Sequence, residues 1–440
     1  AQVPEQSKTV KSSCETEAML RLVACFALLS VADGACLANA TPAAALKKLV
    51  NRNGESYPLG VWINNWAAGE ATSYVVGILI EEMLGFEVNY TGLGDGSLDA
   101  LYAVTGCKTP MDSNNRGCTG VSHTLSHLNT EAWLVSYADV WENIATETET
   151  KATSPVDVGS MGYEGRVSFY FGQAQLDQAY EAEGLALDYY ANWDARWRKT
   201  WKYFTSLSEV DRSHVKKCQD VRFTEETAMK LYVEVTGDTA GVFDNGGTTQ
   251  GYCEDGYFWL APRCRGNTSQ CIPFFTGGAG WNLEESMMKA TRWNMPLAVA
   301  VAEDWSTAPG KYASPFIWWV PDPTHLSLAP QEVVFPSYSK AAWADGDKTT
   351  GSQKAIISKI VSKDLALLAP AVQNFMENFK LEMKMLNSLM MDQQNTGDTW
   401  QVAACRWLNG NQNIWTFRHP QQRVCGRSIN RGRKDVSSLP

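Results

Sequence analysis

The sequence has few histidines and none of the common catalytic motifs. Only 5 of its 440 residues are histidine, and it contains no H-E-x-x-H, no G-x-S-x-G and no strand-linked G-x-G-x-x-G. Adjacent acids such as Glu81-Glu82 and Glu303-Asp304 are typical of solvated helix and loop faces. We therefore predict that the protein is not an enzyme and that it uses no cofactor and no metal.

Excess positive charge and long apolar runs are also absent. The formal net charge is −10 and the sequence pI is about 5.2, which argues against nucleic acid as the main partner. The apolar run at residues 22–31 is too short to cross a bilayer. A hydrophobic content of 44% is ordinary for a folded protein, and 440 residues suffice for two lobes.

Residues 19–40 have the pattern of a secretory signal. Met19 is followed by Arg21, by the apolar run 22–31 and by Ala38-Asn39-Ala40, which fits an A-x-A cleavage site. This pattern predicts a mature chain that begins near Thr41 and is secreted, extracellular or periplasmic. Residues 1–18 are then a possible leader, and the alternative for the apolar run is an ordinary hydrophobic helix.

Cysteine usage agrees with export. Eight cysteines lie beyond the predicted signal, and an even count in a secreted chain predicts disulfides. The closely spaced pairs Cys107–Cys118 and Cys264–Cys271 are the most plausible of many connectivities, and no C-x2-C spacing of a zinc site is present. The remaining four are Cys218, Cys253, Cys405 and Cys425.

The chain opens with a pattern of alternating strands and helices. An apolar strand near 58–64, an amphipathic helix at 71–84 that ends before Gly85, and a strand at 86–90 predict a βαβ unit. Further strands are predicted at 165–171, 297–302, 315–320 and 333–338. A helix broken at Pro370 is predicted over 354–380.

Three tryptophan-bearing segments carry a resemblance to a known family. They are Glu131-Ala-Trp133, Gly280-Trp281 and the stretch 315–321, which contains Trp318, Trp319 and Pro321. Together with 81–88, 97–102 and 399–415, their order resembles the substrate-binding components of ABC-type importers for glycine betaine, proline betaine and choline. The similarity extends over about residues 57–415.

The resemblance implies a fold and a division into lobes. The implied fold is α/β, a two-lobe type II periplasmic-binding-protein fold with the ligand in the cleft between lobes. Lobe one is expected to comprise 57–153 and 326–415, and lobe two 158–322, with a basic tail at 416–440. Hinge closure on the ligand is expected.

The resemblance also implies a ligand site. Trp133, Trp281 and Trp319 are carried over as an aromatic cage, because a quaternary ammonium group has no N–H to donate and is held by ring faces. The alternative for each is a core tryptophan. Trp318, adjacent on its strand, is expected to point to the opposite side and into packing.

A carboxylate on the ligand requires a second set of groups. The backbone amides of Asn65, Trp66 and Ala67, at a predicted helix N-terminus, suit an anion, and the side chain of His325 is a further donor. Asp322 stands where the family's histidine is expected, which is a departure from the family pattern.

Two functional hypotheses follow. The first is a secreted solute-binding protein that captures glycine betaine, choline or a similar compound for an ABC transporter membrane component, with no nucleic-acid partner. The second is a secreted structural or interaction protein that keeps the fold without transport. In the second case, the cysteine loops and the glycosylation sequons at Asn89 and Asn267 would form the functional surface.

Overall fold

The computed structural model describes residues 34–94, 96–112, 115–119, 124–221, 223, 226–277, 282–303 and 308–412. In these ranges no helix is both long and apolar enough to cross a membrane. The chain is mixed α/β, as predicted, and most of its strands join one large sheet.

The strands of the described residues are β1 Leu49–Val50, β2 Ser56–Tyr57, β3 Leu59–Asn64, β4 Val88–Gly94, β5 Leu128–Ala132, β6 Val156–Phe171, β7 Val242–Asn245, β8 Thr248–Gly251, β9 Trp259–Leu260, β10 Ile272–Thr276, β11 Leu297–Val301, β12 Phe316–Val320, β13 Gln331–Glu332 and β14 Ala355–Val361. The large sheet has the order β4-β3-β5-β14-β6-β12-β10-β11-β9, with β13 paired to β6.

The α-helices are α1 Ala67–Ile78, α2 Ser97–Thr105, α3 Ala138–Thr146, α4 Gln173–Glu183, α5 Glu226–Thr236, α6 Leu283–Arg292, α7 Ala308–Lys311, α8 Pro323–Leu328, α9 Lys340–Ala344, α10 Leu365–Leu368, α11 Pro370–Asn378, α12 Met383–Thr396 and α13 Trp400–Gly410. The helix α1 continues into a π-helical turn, Leu79–Met83.

The predicted βαβ unit is confirmed. Strands β3 and β4 pair in parallel, and α1 connects them. The helix ends before Gly85, whose backbone has φ +72°, a conformation that glycine adopts without steric cost. Strand β5 is also parallel to β3, so β3, β4 and β5 end at the same edge of the sheet.

The long strand β6 joins two halves of the sheet. On one side it pairs antiparallel with β14, which pairs with β5, and we call β4, β3, β5 and β14 the first half-sheet. On the other side it pairs antiparallel with β12, which is followed by β10, β11 and β9; these form the second half-sheet. The two halves thus form one continuous sheet, and the predicted lobe boundaries stay a prediction.

Each half-sheet has its own apolar core. Residues of α1, α12 and α13, such as Val75, Leu386 and Leu408, pack against the first half-sheet. Phe169, Phe274 and residues of α6 form the core of the second. Trp319 is half-buried and packs against the first core and also against a smaller apolar cluster of the second half-sheet.

The predicted helix over 354–380 is wrong in its first part. Residues Ala355–Val361 form β14, which lies between β5 and β6. Four of its seven residues are isoleucine or valine, and these β-branched side chains favour a strand buried among neighbours. The predicted strand at 333–338 is also wrong, because the strand in this region is β13, Gln331–Glu332, which pairs with β6.

Four disulfides join described cysteines. Cys107–Cys118 and Cys264–Cys271 confirm the two predicted pairs, and Cys218–Cys253 adds a third. The fourth joins Cys36 to Cys405. A chain that begins near Thr41 would lack Cys36 and this bond, and the start near Thr41 stays a prediction. Cys425 lies outside the described residues.

Candidate ligand-binding site

The carboxyl ends of β5, in the first half-sheet, and β12, in the second half-sheet, face one another beside the middle of β6. Ala132, at the end of β5, and Ser160 of β6 both pair with Ser358. Val320, at the end of β12, pairs with Arg166 of β6. Six residues of strand separate these two levels, a span of about 20 Å at 3.3 Å per residue. Such crevices at carboxyl ends of strands are where open α/β sheets bind ligands.

Trp133 lies at this crevice, directly after β5. Its indole covers the backbone of Gly165 on β6, because a Cβ on Gly165 would lie 2.2 Å from the ring. Only glycine permits this close approach. The backbone amide of Trp133 donates to the Ser97 hydroxyl at 2.9 Å, which fixes the backbone from which the indole extends.

Trp319 approaches the same part of β6 from the other side. Its backbone pairs with Val167, two residues along the strand from Gly165. The Trp133 ring thus contacts Gly165 and the Trp319 backbone pairs with Val167. Two tryptophans that are far apart in sequence therefore meet the same part of β6. Both are half-buried.

The expectation that Trp318 points away from Trp319 is wrong. Trp318 is buried, as predicted, but its ring stacks on that of Trp319, with centroids 4.7 Å apart and planes 3° apart. Offset stacking stabilises such aromatic pairs, and here it outweighs the usual alternation of strand side chains. The two indoles therefore act as one unit.

Glu131 is a member of the site that the sequence reasoning missed. Its side chain is fully buried, one carboxylate oxygen accepts from Trp133 Nε1 at 3.1 Å, and the other accepts from the Tyr163 hydroxyl at 2.8 Å. A carboxylate two residues before Trp133 on a strand end points to the same face, which is the signal that could have identified it.

Burial raises the pKa of Glu131 from an ordinary value near 4.5 to about 7. Hydrogen bonding from Trp66, Tyr163 and Trp133 opposes this shift, whereas the negative charge of Asp322 adds to it. Asp322 is itself buried. Two acids and the indoles of Trp66 and Trp133 are thus neighbours at the crevice.

The backbone amides of residues 65–67, which are predicted to bind an anion, lie around the start of helix α1. Helix α1 begins at Ala67, and Trp66 precedes it as a buried residue. The amide of Asn65 donates to the carbonyl oxygen of Gly94 at 3.0 Å. This amide is therefore used inside the sheet, and its assignment to an anion is wrong.

The sequence also predicts His325 and Trp281 as ligand-binding residues. His325 lies in α8, which follows β12 directly. Gly280 and Trp281 lie outside the described residues, between the end of β10 at Thr276 and the start of α6 at Leu283.

The pKa of Glu131 predicts a pH-dependent stability. Between about pH 4.5 and about pH 7 the folded protein binds more protons than the unfolded chain, so the free energy of unfolding falls as the pH rises through this window. The loss from Glu131 is at most about 3 kcal/mol and is complete above pH 7. Glu131→Gln keeps an acceptor for Trp133 but cannot ionise.

Urea unfolding of the wild type and of Glu131→Gln at pH 5 and pH 8 measures this effect. From pH 5 to pH 8 we expect the free energy of unfolding of the wild type to fall by about 1–3 kcal/mol more than that of Glu131→Gln, an order-of-magnitude range from the same linkage. Glu70, whose pKa is also raised to about 7 by burial, is present in both proteins and cancels. Parallel pH profiles would show that Glu131 is not responsible.

Comparisons with known proteins bear on the fold alone. No protein-family model matches the chain, and no curated protein matches its sequence. Lactococcal OpuAC, in its closed-liganded conformation with glycine betaine, is 14% identical with a TM-score of 0.44, covering 82% of this chain and 98% of OpuAC. The glycine betaine/L-proline-binding protein ProX from Borrelia burgdorferi is 10% identical with a TM-score of 0.44, covering 82% and 97%.

An ABC-transporter choline-binding protein in complex with choline is 12% identical with a TM-score of 0.40, covering 80% of this chain and 89% of that protein. In the arrangement of its sheet and helices, the chain is thus similar to substrate-binding proteins of ABC transporters for glycine betaine and choline.

Proposed function

We propose that the protein binds a small quaternary ammonium compound at the crevice between its two half-sheets. The observation that carries the proposal is the approach of Trp133 and Trp319 to neighbouring residues of β6, where strand ends from both halves face one another. Trp281, which follows β10 in the chain, is proposed as the third ring.

The proposed chemistry is cation–π recognition. A methylated ammonium group offers no N–H, so ring faces rather than hydrogen-bond acceptors select it. Each desolvated ring contributes on the order of 2 kcal/mol, so three rings give roughly 6 kcal/mol. Micromolar affinity needs about 8 kcal/mol, and the remainder is within reach of charge attraction from nearby acids.

The buried acids favour a cation over a zwitterion. Glu131 and Asp322 lie close enough for the charge of Asp322 to raise the pKa of Glu131, and both are buried. Above about pH 7, where Glu131 ionises, the two acids give the crevice a negative potential, which attracts the ammonium end of a ligand but repels a carboxylate. We therefore propose a choline-like ligand ahead of glycine betaine.

The proposed biological role is extracellular or periplasmic capture, with delivery to an ABC transporter membrane component. The four disulfides among described residues support this compartment, because disulfides persist in oxidising surroundings. The alternative role, a secreted interaction protein that binds no solute, predicts an empty crevice under all conditions.

Isothermal titration calorimetry of the purified protein tests the proposal. We expect choline to bind with micromolar Kd and glycine betaine to bind at least about tenfold more weakly, a difference of about 1.4 kcal/mol. The matched control is 3,3-dimethyl-1-butanol, which has the shape of choline without its charge and should give no measurable heat.

Two outcomes would contradict the proposal at different levels. Absence of heat with every quaternary ammonium compound would contradict the function itself. Tighter binding of glycine betaine than of choline would keep the aromatic site but contradict the role assigned to Glu131 and Asp322.

A further inference from the structure

The segment around Cys36 is an integral part of the first half of the molecule. Cys36 is disulfide-bonded to Cys405 on α13, and Leu37 is 4% exposed within the apolar core. The backbone amides of Cys36 and Leu37 donate to the two carboxylate oxygens of Glu82, at 2.7 and 2.6 Å. Charge-assisted hydrogen bonds of this length are among the stronger ones.

Further contacts continue through residue 41. The side-chain amide of Asn409 donates to the Cys36 carbonyl oxygen at 2.9 Å. The amide of Thr41 donates to the carbonyl oxygen of Glu82 at 2.7 Å. Residues 36–41 therefore connect α13 to the turn that ends the first helix, and we call them the N-terminal strap.

A cut after Ala40 would remove most of this strap. Glu82 would lose both of its backbone donors, the Cys405 thiol would lose its partner, and the space filled by Leu37 would become a cavity in the core. Deleting a buried leucine side chain alone costs 2–5 kcal/mol in other proteins, an order-of-magnitude guide. A cut before Cys36 costs none of these contacts.

We propose that the exported chain is cleaved between Gly34 and Ala35. Ala32 and Gly34 then supply the two small residues before the cut, directly after the apolar run at 22–31. A cut one bond later would place the charged Asp33 at the position that requires a small residue. Gly34 is exposed and a Cβ there would meet nothing within 4 Å, so the proposed scissile bond lies outside the packed strap, which begins at Cys36.

The chemistry of this step is simple hydrolysis. Water cleaves the Gly34–Ala35 peptide bond, leaving a carboxylate on Gly34 and an ammonium group on Ala35. The thiols of Cys36 and Cys405 then lose two protons and two electrons to a disulfide oxidant of the export compartment, forming one S–S bond. The inference rests on export and not on the identity of the ligand, so the two can fail separately.

Expression of the full chain with its own N-terminus in a secreting host tests the inference. We expect the protein in the medium to begin at Ala35 by N-terminal sequencing and intact mass. A non-reduced digest should contain the peptide that joins Cys36 to Cys405. A chain that begins at Thr41, a chain that retains residues 22–34, or a free Cys36 thiol would each overturn the proposal.

A pair of variants localises the cut. Gly34→Arg puts a large residue directly before the proposed scissile bond and should abolish cleavage there. Ala40→Arg makes the same change at the site expected from the sequence and should leave cleavage unaffected. The opposite pattern would place the cut after Ala40 and overturn the proposal.

Discussion

Replacing Trp133 by alanine is expected to weaken choline binding about thirtyfold, and replacing Trp319 by alanine is expected to do the same. The reason is the loss of one ring face worth on the order of 2 kcal/mol, which corresponds to about a thirtyfold change in Kd. Calorimetry measures both values, and circular dichroism with thermal unfolding shows whether each variant is folded.

The matched control is Trp197→Ala. Trp197 is 77% exposed, so its removal deletes an indole without touching either core or the crevice. We expect its Kd to equal that of the wild type. Trp133→Phe provides a second control, because it keeps a ring over Gly165 and should lose far less affinity than alanine. Unchanged affinity in folded Trp133→Ala and Trp319→Ala would mean that neither ring contacts the ligand.

Removing the disulfide between Cys36 and Cys405 is expected to have the largest effect on stability. The two residues are 369 positions apart, and the chain-entropy account gives roughly 6 kcal/mol for a cross-link that closes a loop of this size. The double variant Cys36→Ser with Cys405→Ser should lower the free energy of unfolding by about this amount. Urea unfolding at fixed pH provides the measurement.

The comparison with a short loop makes this prediction specific. Cys107 and Cys118 are 11 positions apart, for which the same account gives about 3 kcal/mol. The double variant Cys107→Ala with Cys118→Ala should therefore be destabilised less. An equal or larger loss in this control would show that loop closure is not the main contribution of the long-range bond.

Local signals account for the parts of the fold that the sequence predicts correctly. The βαβ unit depends on short apolar strands, an amphipathic helix and Gly85, all within about 35 residues, a length typical of such units. The two predicted disulfides join cysteines that are close in the chain. In each case the residues that decide the structure are neighbours in sequence.

Strand β14 shows where local signals fail. Lys359 interrupts its apolar run, yet this lysine is fully buried and donates from Nζ to the carbonyl oxygen of Phe379. Burial lowers its pKa to about 8. A buried lysine is rare unless it has a partner, and that partner lies at the end of α11, twenty residues away. No local pattern distinguishes such a strand from an amphipathic helix.

The candidate site likewise contains residues that sequence motifs predict and residues whose roles depend on tertiary contacts. Trp133 and Trp319 could be named from the order of tryptophan motifs, which is a property of the linear sequence. The role of Glu131 depends on its pairing with Tyr163 of another strand, and the stacking of Trp318 on Trp319 depends on packing at the end of β12. The pairing of Cys36 depends on α13, at the far end of the described chain. These features arise from tertiary contacts that the sequence does not encode locally.

The structure of the protein crystallised with choline tests the central claim most directly. We predict that the trimethylammonium group lies between the half-sheets, within about 6 Å of the ring centroids of both Trp133 and Trp319, the range over which a cation interacts with a ring. Choline bound at another surface, or two indoles that share no ligand at saturating choline, would contradict the account.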